Sequence, residues 1–234
     1  MASFEDTLRY PMNSDDWIKT ILIGGVLMLF SFLLIPAIAV YGYLINAVRD
    51  SLEGNPEPPV FTDWGELLRK GVFAWIIGLI YMLVPVIVGG VTIGGAAMAM
   101  ATGSRSGAAA GFAGMLGGLG LTFLLSLVFG YFAVVALVNF ARTDEFGAAF
   151  DFGIIRTVAL DRDYFVPWLL SIVVFIVASV IAGVLNVVPF LGAIVGVFVF
   201  FYAEVVAAKL WGEGFAAAIE GDGHETTGVE EPAV

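Results

Sequence analysis

The chain of 234 residues has no cysteine, one histidine and ten basic side chains, and only 13% of it is charged. Without cysteine there is no disulfide, no iron–sulfur cluster and no thiol nucleophile, and the redox compartment stays open. One histidine, His224, without cysteine cannot build the nitrogen and sulfur ligand sets of zinc or haem sites. His224 reads as a solvated tail residue. No Walker A motif and no strand-borne GxGxxG occurs, and the glycine-rich run 111–120 carries no lysine, so no phosphate cradle is expected. The expected catalytic, cofactor-binding and metal-binding inventories are all empty.

The chain is instead rich in apolar residues, 60% of it, with a mean hydropathy of +0.97. Soluble domains are about 45–50% apolar and about 25% charged, which excludes a water-soluble globule. Glycine is abundant at 29 residues but follows no collagen period. Four stretches are nearly free of charge: 18–48, 71–102, 107–141 and 164–208. Runs such as Val26-Leu27-Met28-Leu29-Phe30 do not alternate, so helices rather than barrel strands are expected. The first 17 residues are acidic and mixed, unlike the basic start of a signal peptide.

Stretches of this length leave five or six spans open, because a crossing helix needs about 20 apolar residues. Six spans are placed near 17–34, 36–50, 72–101, 107–141, 164–187 and 190–211. Pro36 and Pro189 then mark turns within paired hairpins, and Pro85 falls inside a helix. This count puts Arg9, Lys19, Arg49, Arg69, Lys70, Arg142, Arg156, Arg162 and Lys209 on one side and Arg105 alone on the other. Five spans would divide the bases less unevenly, so the positive-inside rule favours six, with both termini cytoplasmic in a plasma membrane. The expectation is an all-α integral membrane protein, one polytopic domain over 1–212 followed by an acidic, disordered tail over 213–234.

Three amphipathic stretches precede spans. They are Phe4–Tyr10, Phe61–Lys70, and Phe146–Phe152 with Ile154-Ile155-Arg156. Each sets charge against Phe, Leu or Ile and leads to a tryptophan (Trp17, Trp75, Trp168), as helices lying in the headgroup plane do. A second echo links Gly42-Tyr43, Asn46 and Arg49 with Gly130-Tyr131, Asn139 and Arg142.

Acidic residues outnumber basic ones by 21 to 10, for a net charge of −11. Such a surface repels nucleic acid, so no nucleic-acid partner is expected. Lysine is limited to Lys19, Lys70 and Lys209, which together with the acidity suits a protein adapted to molar salt. Glu204 is the one acid inside an apolar stretch and is read as an interfacial carboxylate, snorkelling or neighbouring Lys209. Asn46, Asn139 and Asn186 read as hydrogen-bonding residues at helix ends, and Asp15-Asp16 and Asp161–Asp163 as acids at helix N-termini. Small residues four apart (Gly90/Gly94, Gly107/Gly111, Gly114/Gly118, Gly192/Gly196) read as close helix packing within the chain, with homo-oligomerisation through Gly107–Gly118 the alternative.

The Phe-rich entry segments, Gly42-Tyr43 with Arg49, Phe61-Thr62-Asp63-Trp64-Gly65-Glu66-Leu67 and Gly147-Ala148-Ala149-Phe150-Asp151-Phe152 resemble the mostly archaeal membrane family catalogued as domain of unknown function 4013. The resemblance covers about residues 5–212. It implies a multi-pass membrane protein of a haloarchaeon or relative, and it brings no catalytic or binding residue with it. The expected role is therefore non-enzymatic: a membrane-organising or partner-docking protein whose partner is the lipid bilayer, with a small-solute transporter as the alternative.

Overall fold

The computed structural model describes residues 3–188 and 190–226, the side chains of 222–226 excepted. It is all-helical, with no strand among the described residues. The helices are α1 (Phe4–Arg9), α2 (Trp17–Leu29), α3 (Ile35–Leu52), α4 (Trp64–Ala101), α5 (Arg105–Thr143), α6 (Phe152–Leu160), α7 (Arg162–Leu185) and α8 (Leu191–Thr226), with single 3-10 turns at Tyr10–Met12 and Phe146–Phe150. Four of them, α4, α5, α7 and α8, are long and apolar enough to cross a bilayer. α2 has 13 residues, about 20 Å of helix against a core of about 30 Å. α3 carries Asn46, Arg49 and Asp50 in its last turns, which lowers its hydropathy.

The sequence treats 1–212 as one domain, whereas the fold divides into two compact units: residues 1–75 with 135–234, and residues 76–134. In the first unit α8 is the central element, packing on α7, α3, α2 and α1. Val174 and Ala178 of α7 meet Ala203, Val206 and Leu210 of α8 in a dry cluster. α3 and α4 approach backbone to backbone at two glycines. A Cβ on Gly42 would strike the carbonyl of Leu67, and one on Gly71 that of Ile38. Only glycine permits that approach.

The second unit is a helical hairpin whose register is legible from its contacts. Met82 lies beside Gly130, Thr122 beside Gly89, Thr92 beside Gly118, and Ala96 with Met100 beside Gly111. Gly103, with φ of +68°, turns the chain between the two arms. Gly107, Gly111, Gly114 and Gly118 all face α4 or the turn, so this stripe packs inside the chain, and Gly90 and Gly94 stand in open space.

Three expectations need correction. The stretch Phe61–Lys70 forms no separate in-plane helix: Trp64–Lys70 is the first two turns of a continuous α4. No proline or cap interrupts it, and Lys70 is satisfied inside the fold, so nothing forces a break. Second, the expected loose tail is helical from 213 to Thr226, because Phe215 and Ala218 are fully buried and Tyr164 meets the Phe215 ring edge-on at 6.3 Å. That buried stripe overrides the local acidic and glycine-rich composition; residues 227–234 lie outside the described residues. Third, Glu204 is not matched with Lys209, whose partner is Glu213 at 3.2 Å. Pro36 begins α3 and Pro85 lies within α4 as expected, while Pro189 lies outside the described residues.

Candidate functional site

The charged and amphipathic segments of the first unit gather around the ends of α3, α7 and α8. Two lysines organise this region. Lys70, 3% exposed, donates to Asn46 Oδ1 at 2.7 Å and pairs with Glu66 at 2.5 Å. A buried ammonium without such partners would be strongly destabilising. Lys209 pairs with Glu213, donates to the carbonyl of Asn55 at 3.2 Å and lies 4.6 Å from the Tyr10 ring centre. The Tyr10 hydroxyl donates to the Glu57 carbonyl at 3.4 Å, and burial pushes its phenol well above the usual range. In this way the N-terminal segment, the 53–60 loop and α8 are tied at one lysine.

Around them runs an aromatic layer. Tyr43 stacks on Phe61 at 4.3 Å, Phe61 on Trp64 at 5.8 Å, and Phe201 leans on both Tyr43 and Phe61. Trp211 Nε1 donates to Ser171 Oγ at 2.9 Å, and the Tyr202 hydroxyl donates to the Leu8 carbonyl at 2.5 Å, fastening α1 onto α8.

The expected polar candidates separate by role. Asn139, fully buried, donates to the Ala148 carbonyl at 2.8 Å and accepts from Arg142 at 2.9 Å, holding the 3-10 turn at Phe146–Phe150. Asn186 donates to the Ala182 carbonyl at 2.9 Å and ends α7. Asp161 caps α7, accepting from the Asp163 amide at 2.6 Å, and Asp16 precedes α2 without a side-chain cap bond. Glu204 differs: its Oε2 is shielded from solvent and has no hydrogen-bond partner. His224 lies outside the described side chains. Among the described residues no group of three or more His, Cys, Asp or Glu is placed to hold a metal ion.

The short helices α1 and α6 present apolar groups outward. In α6, Ile155, Val158 and Ala159 are buried while Phe152 and Leu160 are 69% and 74% exposed, with Arg156 on the exposed side. In α1, Thr7 is buried while Phe4 and Leu8 remain partly exposed beside an Arg9–Glu5 ion pair. Two cavities lie beneath α1. One, of about 390 Å³, is lined by Phe4, Thr7, Arg162, Pro167, Leu210 and Glu213, among others. The other, of about 500 Å³, is lined almost wholly by apolar side chains of α1, α7 and α8. Sequence reasoning did not find the cavities or the Lys70–Asn46 bond. The only signal was the echoed asparagines, which mark where buried helix ends need an amide.

The family described as Protein of unknown function (DUF4013) matches residues 28–187, more than half of the chain. No curated protein and no solved structure matches it.

Proposed function

The chain belongs to the DUF4013 family, and from that premise we propose a multi-pass plasma-membrane protein that performs no catalysis and organises lipid, or docks a membrane partner, through in-plane helices on its cytoplasmic face. The observation that carries this reading is α6, whose Phe152 and Leu160 are exposed beside Arg156 although the helix is only nine residues long. Two large apolar side chains exposed beside a base on one short amphipathic helix suit a bilayer boundary or another protein surface. The same reading takes six spans, α2 and α3 forming a tight first hairpin, with both termini on the base-rich cytoplasmic side. The acidity and the three lysines support a haloarchaeal source for this surface.

The test reconstitutes a Leu160→Trp reporter in vesicles and measures quenching by lipids labelled at graded depth. Quenching at the acyl–headgroup boundary, abolished by Phe152→Asp, is expected. Equal quenching by aqueous iodide in both forms overturns the reading.

Glu204 favours a second reading, a small-solute transporter, because an unpartnered carboxylate oxygen within a spanning helix is the usual mark of an ion or proton path. Proton or solute flux in vesicles that is unchanged by Glu204→Gln removes it. Homo-oligomerisation through Gly107–Gly118, the alternative form of partner docking, is not favoured, because that stripe packs against α4 inside the chain.

A further inference from the structure

α1 lies over a furrow between α7 and α8 that changes character along its length. At the water-facing end it is a cavity of about 390 Å³ with Arg162, Asp163 and Glu213 at its mouth and Phe4, Val166 and Leu170 on its walls. Glu213 is already matched by Lys209 at 3.2 Å. Arg162 and its neighbour Asp163 are both exposed, and among the described residues neither makes an ion pair. Deeper along the same two helices the furrow becomes a cavity of about 500 Å³, with Phe4 common to both. Its floor is made by small or short side chains, Ala178, Ala203 and Val206, its lips by Val177, Ile181 and Tyr202, and on the α1 side the Arg9–Glu5 ion pair edges it beside Phe4 and Leu8. From Arg162 to Ile181 the furrow runs about 28 Å along α7, of which the apolar part from Leu170 takes about 16 Å, at 1.5 Å per residue. The apolar part has the depth of one leaflet, half of a hydrocarbon core of about 30 Å.

We propose that this furrow holds one phospholipid of the cytoplasmic leaflet, its phosphate against Arg162 and one acyl chain laid along Ala178 and Ala203 under α1. This deepens the lipid-organising reading and rests on it. An unpaired guanidinium at the mouth complements a phosphate, and an apolar trough one leaflet deep complements a chain rather than a compact solute. The Tyr202–Leu8 hydrogen bond holds α1 as the strap over that chain. A lipid seated here joins α1, α7 and α8 and exchanges more slowly than the surrounding bilayer lipid.

The full chain is reconstituted in dioleoylphosphatidylglycerol vesicles, extracted in dodecyl maltoside and analysed by native mass spectrometry for retained phospholipid. Wild-type is expected to retain one. Arg162→Gln changes an exposed side chain, and Val177→Trp fills the trough from a half-exposed lip, so neither should disturb the core. Each is expected to weaken retention about tenfold, the worth of one charge-assisted contact or one well-filled apolar site. Ala203→Phe blocks the floor, and its circular dichroism guards against misfolding. Equal retention by wild-type, Arg162→Gln and Val177→Trp means only annular lipid adheres and overturns the proposal. Phe152→Asp lies on α6, outside the furrow. Loss of α6 docking with the lipid still retained would therefore fault the in-plane reading and leave the site standing, while the reverse pattern would fault the site alone.

Discussion

At the scale of single residues, the glycines divide into those that hold helices together and those that do not. Gly42 and Gly71 sit where α3 and α4 touch through backbone, and any Cβ there meets a carbonyl that cannot swing away. Gly42→Ala is therefore expected to destabilise by about 1–3 kcal/mol, as overpacking does. Gly90 has nothing within reach of a Cβ, so Gly90→Ala should be neutral or stabilise by about 0.5–1 kcal/mol through helix propensity. Melting of the two variants in detergent, followed by circular dichroism, separates them, and equal shifts would refute the close approach. Tyr10 makes a pH prediction. Its phenol is raised by burial, so the folded state keeps the proton where the unfolded chain releases it, near pH 10. The unfolded state then binds fewer protons, and stability falls as pH rises above about 10. Wild-type should lose melting temperature between pH 9 and 11 more steeply than Tyr10→Phe, and parallel profiles would count against the buried phenol.

At the scale of elements, helices were legible wherever charge alone sets the boundary. The charge-free run 107–141 became Arg105–Thr143, and 164–187 became Arg162–Leu185, because the ions at both ends of the first and at the start of the second must reach water, while Asn186 caps the second's far end. Elements whose limits depend on a partner were not legible. Phe215 and Ala218 look like fragments of an acidic tail until Tyr164 supplies a surface to bury them, and Trp64–Lys70 looks like a surface helix until Asn46 and Glu66 receive Lys70. Glu204 reads as an interfacial acid because Lys209 is near in sequence, yet Glu213 one turn further on takes that lysine. If Phe215 anchors the last turns of α8, Phe215→Ala should cost about 3–5 kcal/mol, the usual loss for a buried ring. It should also free amides beyond Gly212 to exchange with solvent. Retained protection there, measured by hydrogen–deuterium exchange, would show that the helix persists for another reason.

For the whole molecule, the distribution of ions makes the sharpest statement. Nine of the ten basic residues fall on one side if α2 and α3 return the chain to the face it entered from, and seven do if together they cross once. The short length of α2 argues against an ordinary crossing, but the uncharged Phe30–Leu34 turn, with Phe32 77% exposed, extends its reach and has no reason to face water. Because the chain has no cysteine, single cysteines report sidedness without background. Met12→Cys and Val60→Cys flank the α2–α3 hairpin, and Arg105→Cys marks the turn between α4 and α5. With a complete hairpin or one that dips and returns, an impermeant maleimide labels positions 12 and 60 from the same face and position 105 from the other. Labelling of 12 and 60 from opposite faces would remove the hairpin and with it the gathering of α1 and α6 on one leaflet. Phe32→Cys then separates the two hairpin forms. Reaction from the face that exposes position 105 means the turn reaches the far interface, whereas protection from both faces means it stops within the hydrocarbon.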